Sequence, residues 1–465
     1  MNNERKMIKR ERVENFTHTS QHVYEHYSGL TISFVPKPGF NRKFVSIALP
    51  VGADHLNFYA KAGKPVCVPA GTAHFMEHCV FKHGHDFNFD DVMAGYGINA
   101  NAYTTNDHTL YFFSCVDHLY EGLQLFLESL LSPDLTAERV DKERRIILSE
   151  LEMYQDDVAG FAAEKLLCSL YVNHPVRNDI VGTRESLAAI LPEHLQKLHS
   201  SFYRPSNMKI SIVGDVNEEE VIAKIFAILE PHMQDEKLPK VLTTKVSEPS
   251  AAGKTVSSSS MQIARPYFCF GIKDPDVNSK FSMQGRELVG YEIGLSLLFD
   301  LLIGESSRVY NELFAEGLID ESFYHEFKVG SDYAYWMCAS YSEDPHKAAT
   351  AIYQALQQAV RNRDLGGADF ALKVKAETGA FLLSLDSISS SGYKMAELLL
   401  RNLDLFDELS IYNQLDVQSL WEKAEFVLNE SLQSLHIVSP LPTEKSEKPE
   451  EPAEATETAG PVYKL

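Results

Sequence analysis

The segment from Gly71 to His78 reads Gly-Thr-Ala-His-Phe-Met-Glu-His. His74 and His78 are four apart, so on a helix both imidazoles leave one face, one turn apart, and can reach a single metal ion. Glu77 falls on the same side, three residues after His74. There its carboxylate reaches a metal-held water without being a ligand. This is the H-x-x-E-H arrangement, the inverse of the H-E-x-x-H metalloprotease pattern. It demands a helix that presents polar groups to a cleft, and a further ligand from elsewhere in the chain. A catalytic zinc site keeps three protein ligands and leaves one position for water or substrate. In that setting the metal lowers the water pKa to about 7, and the free carboxylate takes the proton.

Two later stretches suit such a site. Thr136 to Gln155 reads as a helix, with Thr136 at its N-cap and Glu138 in its first turn. Glu143 and Glu150 are seven apart on one face of it, and either can complete the ligand set with the other behind it. Gly97 to Ser114, rich in Thr and aromatics, reads as an approach and a strand. If Asn101, Ala102 and Tyr103 lie on a sheet edge, they can align a peptide by strand addition.

Charge and cysteine content narrow the rest. A net charge of −22 disfavours nucleic acid, whose binding needs clustered Lys and Arg, and mildly favours basic peptides. The six cysteines are scattered without a C-x-x-C pair, as suits a reducing compartment. Cys79 follows His78, but helical geometry turns it about 100° away, into the core. Met1 to Ser20 is charged and lacks an apolar centre, and no apolar run reaches about 20 residues. The expectation is therefore no signal peptide, no membrane span and a cytoplasmic protein. His83 and His85 flank Gly84 in a segment read as a turn rather than a second metal site.

A chain of 465 residues has room for two to four domains. Composition and periodicity divide it into a polar lead (1–22), an α+β unit (23–235), a solvated linker with strand edges containing Ser257 to Ser260 (236–262), a second α+β unit (263–439) and a disordered tail rich in Pro, Glu, Lys, Thr and Ala (440–465). Both units follow the order strand pair, helices, strand, helix, which suggests an internal duplication. The second unit has no H-x-x-E-H and is expected to carry no metal.

The His74 motif, Asn101-Ala102-Tyr103-Thr104, Glu143 with Glu150, and Phe202 to Met208 (Phe-Tyr-Arg-Pro-Ser-Asn-Met) follow one another in an order that resembles the M16 zinc peptidases, such as pitrilysin, insulin-degrading enzyme and mitochondrial processing peptidase. The resemblance covers most of the chain, and the length is similar to the short bacterial M16B branch. Asn173 to Arg177 and Gly317 to Asp320 resemble its YmfH-like subgroup. The resemblance implies an α+β fold of two homologous M16/LuxS-like domains, each an antiparallel-rich sheet packed with helices, together forming half of a clam-shell chamber. It implies one zinc ion per chain on His74, His78 and Glu150, with Glu77 as base and Glu143 supporting the ligands. It places substrate along Asn101, Ala102 and Tyr103, and the activity it implies is endopeptidase cleavage of short or unfolded peptides, including leader-peptide maturation. Glu150 lies 72 positions after His78, a few short of the usual family spacing.

One departure bears on assembly. Many M16 proteins carry an Arg and a Tyr seven apart in the inert domain, and these reach the reacting carbonyl. Phe314 and Glu321 stand at those positions here, and Arg308 and Tyr324 are off register. The resemblance thus implies a second M16-like subunit that supplies the Arg and Tyr in a heterodimer, with a homodimer as the alternative. The competing class is a non-catalytic peptide-binding or assembly subunit. It predicts an incomplete metal set, whereas every metal and base position is present.

Overall fold

The computed structural model describes residues 7–15, 17–60, 63–83, 87–154, 156–233, 243–244, 246–275 and 283–442. Strands β3 (Thr31–Pro36) and β4 (Lys43–Leu49) are buried along almost their whole length. Burial on both faces places them inside a sheet covered on each side. They belong to a seven-stranded sheet with β1 (Met7–Glu14), β2 (Thr19–His26), β5 (Asn99–Thr104), β6 (Thr109–Cys115) and β7 (Lys209–Gly214), in the order β1-β2-β3-β7-β4-β6-β5. A second sheet holds β8 (Val256–Met261), β9 (Tyr267–Asp274), β10 (Tyr324–Val329), β11 (Ala334–Tyr341) and β12 (Gln433–Pro440), in the order β8-β12-β9-β11-β10.

The two sheets repeat one topology. In the first, β7 runs parallel to β3 and antiparallel to β4, and β6 is antiparallel to β4 and β5. In the second, β12 runs parallel to β8 and antiparallel to β9, and β11 is antiparallel to β9 and β10. Strand for strand, β3 to β7 correspond to β8 to β12. This is the duplication that the element order suggested, and the fold is α+β as expected.

The halves are laced together by an exchange of helices. The helix Val158–Leu170 packs on β9 and β12 of the second sheet, and the helix Ile388–Leu400 packs on β4 and β7 of the first. These are equivalent strands, so the exchange is reciprocal. In the second contact the Ser46 hydroxyl donates to the Gly392 carbonyl at 3.3 Å and Tyr393 meets Phe44 edge-on. A Cβ at Gly392 would lie 2.3 Å from the Phe44 ring. Gly392→Ala therefore sets about 1 kcal/mol of helix propensity gained against about 1–3 kcal/mol of overpacking. Phe44 is itself buried and cannot yield, so overpacking wins. The expected result is a lower urea midpoint at unchanged slope, and a raised midpoint would contradict this packing.

Three segment assignments need correction. The polar lead over 1–22 is not separate from the first unit, because β1 and the first half of β2 lie there. The polarity of β1 reflects an edge strand whose side chains are mostly exposed and form ion pairs: Arg10 reaches Asp404 at 2.7 Å and Arg12 reaches Asp407 at 2.6 Å, both across to the second half. The 236–262 stretch is not all linker, since Val256–Met261 forms β8. Ser257 and Ser259 point inward to the two ring nitrogens of His436, at 2.8 and 2.9 Å, so the serine run hides a strand. Nor does the tail start at 440: β12 runs through Pro440, and 443–465 lie outside the described residues. Among the described residues no helix is long and apolar enough to cross a membrane.

Candidate metal centre

The motif helix, Thr72–Val80, starts at Gly71, whose φ of 84° is left-handed. A side chain there would also strike the Val181 carbonyl, since a Cβ would lie 2.3 Å from its oxygen. Glycine thus lets the chain turn sharply into the helix against the 179–182 loop. Phe75, Met76, Cys79 and Val80 are fully buried and fix the helix rotation. That rotation leaves His74, Glu77 and His78 facing the cleft. The Cys79 thiol points into the core, where burial pushes its pKa up, so it is a poor ligand.

The opposite wall is the helix Ala137–Tyr154, which packs against the motif helix. Val140, Glu143 and Ile147 lie on its buried stripe, and Glu150 continues that stripe at the cleft. The Arg144 guanidinium anchors this helix by donating to the Leu187 and Ile190 carbonyls at 3.0 and 2.6 Å.

The two helices bring His74, His78 and Glu150 together, with one ligand atom from each within 4.8 Å of the others. His74 Nε2 lies 3.8 Å from Glu150 Oε1, and His78 Nε2 lies 3.3 Å from Glu150 Oε2. Burial, reinforced by repulsion from His78, lowers the His74 pKa to about 4, against the pull of Glu150. Neutral imidazole is the ligating form. Two imidazole nitrogens and one carboxylate, with solvent access from the cleft, form a donor set that fits a catalytic divalent metal with an open position.

Glu143 stands apart from this set. It is 1% exposed, and neither carboxylate oxygen has a hydrogen-bond partner; His74 Nδ1 is likewise buried and unpartnered. A buried carboxylate without a donor is costly unless a positive charge lies close by. A metal on the adjoining ligands would provide one.

Glu77 is outside the donor set. Its Oε2 accepts a 2.6 Å hydrogen bond from the Thr104 hydroxyl. Burial raises its carboxyl pKa, and the Thr104 bond opposes that rise. Behind it, the Tyr111 and Tyr203 hydroxyls pair at 2.7 Å in the core.

Asn101, Ala102 and Tyr103 lie on β5, the outermost strand of the first sheet, and line the same cleft. Tyr103 also reaches Glu397 of the second half, with its hydroxyl 3.0 Å from the carboxylate. The cleft as a whole has a volume of about 690 Å³, and its walls also include residues that periodicity did not single out: Asp157, Phe161, Glu164 and Asp179. They come from the segment after the Glu150 helix, and nothing in a sequence pattern fixes which way that segment folds back. Among the described residues, none beyond Val181 lines the cleft. Phe314 is half-exposed and stacks on Tyr310, away from it. The side chains of His83 and His85 lie outside the described residues.

A duplicated α+β fold with a group in one half that could hold a metal ion defines the class. The family model of insulinase, peptidase family M16, matches residues 69–184, and that of the peptidase M16 inactive domain matches residues 189–371. The chain belongs to the peptidase M16 family. It is 28% identical over 395 residues to a Bacillus subtilis protein named uncharacterized zinc protease YmfH, covering 84% of this chain and 90% of that one. The crystal structure of a putative M16-like peptidase from Alicyclobacillus acidocaldarius superposes with a TM-score of 0.82 at 25% identity, covering 94% of this chain and 99% of that one. A Helicobacter pylori protease structure shares the fold, with a TM-score of 0.74 at 21% identity over 90% of this chain and 99% of that one.

Proposed function

We propose that the chain is a zinc-dependent endopeptidase acting on short or unfolded peptides. The convergence of His74, His78 and Glu150 beside a non-ligating, half-buried Glu77 carries this reading. The three ligands would hold one zinc ion, which when bound polarises the scissile carbonyl and acidifies water. Glu77 then has a defined task. Its Oε2 is tied to Thr104, so Oε1 is left to take a proton from the attacking water and return it to the leaving amine. Glu143 supports the ligand shell from the buried side. The free edge of β5 binds the peptide backbone as an added strand, which selects extended chains over folded ones.

The cleft also bears on which peptides are cut. Among the described residues its lining includes Glu77, Asp90, Glu150, Asp157, Glu164 and Asp179, and no Lys or Arg. Peptides with Lys or Arg near the scissile bond should be favoured. Glu164→Gln is expected to reduce that preference by up to about fivefold in kcat/KM, the worth of one solvent-reached ion pair. Mass-spectrometric mapping of products from a mixed peptide library, with Glu77→Gln as the blank, measures both the endopeptidase activity and the preference. Products absent from the library digest, or present equally in the blank, would sink the reading.

Among the described residues the cleft is built from one half of the chain. With Phe314 and Glu321 where an Arg and a Tyr would assist, we infer a second M16-type subunit that supplies those groups, in a heterodimer. Donors of that kind are worth about a hundredfold or more in rate. Normal turnover by the purified chain alone would instead make a homodimer or monomer sufficient. The six unpaired cysteines suit a cytoplasmic setting.

A further inference from the structure

The base in this site does not stand alone. Thr104 is the last residue of β5, and its hydroxyl donates to Glu77 Oε2 at 2.6 Å. The donor is held on a stiff support. Thr104 pairs with Thr109 across the hairpin, and the Thr109 hydroxyl is buried and bonded to the Val51 carbonyl at 2.7 Å. The hairpin end is tied to the loop after β4 by Ala53 N–H to the Thr105 carbonyl and Asp54 N–H to the Asn106 carbonyl, both at 2.9 Å. Thr104 is β-branched, so its χ1 has little freedom. A short bond from a fixed hydroxyl to one oxygen leaves the carboxylate a single rotation and turns the other oxygen to the cleft.

The support belongs to the strand that would receive substrate. Side chains alternate along β5, so Thr104 faces Glu77 while its neighbour Tyr103 extends to Glu397 on the helix Ile388–Leu400 of the second half. One strand thus touches the peptide path, the base and the other half of the molecule.

We infer that Thr104 is the positioning residue for the base: its hydroxyl sets the Glu77 carboxylate toward the reacting water, and β5 links that orientation to peptide docking. This rests on the peptidase reading above. Two variants of the full chain test it. Thr104→Val keeps the shape and removes the hydroxyl; Thr104→Ser keeps the hydroxyl. Thr104→Val should lose about 10- to 100-fold in kcat with KM within about twofold and zinc content unchanged, and Thr104→Ser should recover most of the loss. A Thr104→Val enzyme within twofold of native kcat overturns the inference, as does a serine variant that recovers nothing. Crystal structures of the zinc-loaded native chain and the valine variant give a readout that does not need turnover. The carboxylate of Glu77 should rotate or lose order in the variant while His74, His78 and Glu150 stay in place; an unmoved carboxylate overturns the inference. If the native chain shows no zinc-dependent cleavage, the peptidase reading fails, and the structures still decide whether Thr104 orients Glu77.

Discussion

Glu77→Gln is expected to bind zinc as the native chain does and to cleave peptides about 10²- to 10⁴-fold more slowly. The side chains have nearly the same size, and the amide can still meet the Thr104 hydroxyl, so packing around the motif helix should survive. What disappears is the capacity to accept a proton. Glu77 is not among the converging ligand atoms, so metal content should not change. Initial rates on a quenched fluorescent peptide, with zinc measured on the same samples by mass spectrometry, separate the two effects. Retention of most activity would place the base elsewhere, and loss of zinc would make Glu77 a ligand.

His74→Ala should act on the metal first. Changes in groups that merely support ligands weaken metal binding about 10- to 100-fold, so removing a ligand should weaken it by more than about a hundredfold and abolish cleavage with it. Glu143→Ala gives the contrast. Seven residues along a helix is about 10 Å of axis, too far for Glu143 and Glu150 both to ligate one ion. Glu143→Ala should therefore fall within the 10- to 100-fold range and leave an enzyme that excess zinc restores. Competition with a calibrated chelator measures all three affinities. Equal losses in the two variants would contradict the separation of ligand from support.

The candidate metal site was legible because helical spacing is rigid. His74, Glu77 and His78 needed only the geometry of one turn. The third ligand was less so, since Glu143 and Glu150 share a face and periodicity reports the face, not the depth. Depth is set by how the Ala137–Tyr154 helix slides on the motif helix, and Arg144 fixes that through two carbonyls near residue 190. Thr104 was in view within the Asn101 to Thr104 run, yet its bond to Glu77 depends on which face of β5 meets the motif helix.

The duplication could be read as an order of elements, and the shared strand topology bears it out. The exchange of helices could not be read at all. The apolar face of Val158–Leu170 shows that it packs, but not that it crosses to the other sheet. The Ile388–Leu400 helix, broken by serines and a glycine, did not stand out as an element. β1 was missed, and β8 was read only as a strand edge within a linker, for a related reason. An edge strand that faces water or buries only hydroxyls carries no apolar alternation, and Arg10, Arg12, Ser257 and Ser259 find their partners hundreds of residues away or nearly so.

The most direct test of the metallopeptidase account is a strip-and-restore experiment on the purified chain. Zinc is removed with a chelator, peptide cleavage is measured, and zinc is returned stoichiometrically. The account predicts one zinc per chain, loss of cleavage in the stripped protein and its return on adding one equivalent, with Glu77→Gln inert throughout. Zinc that binds without His74 and His78, or cleavage that persists in the stripped chain, would contradict it.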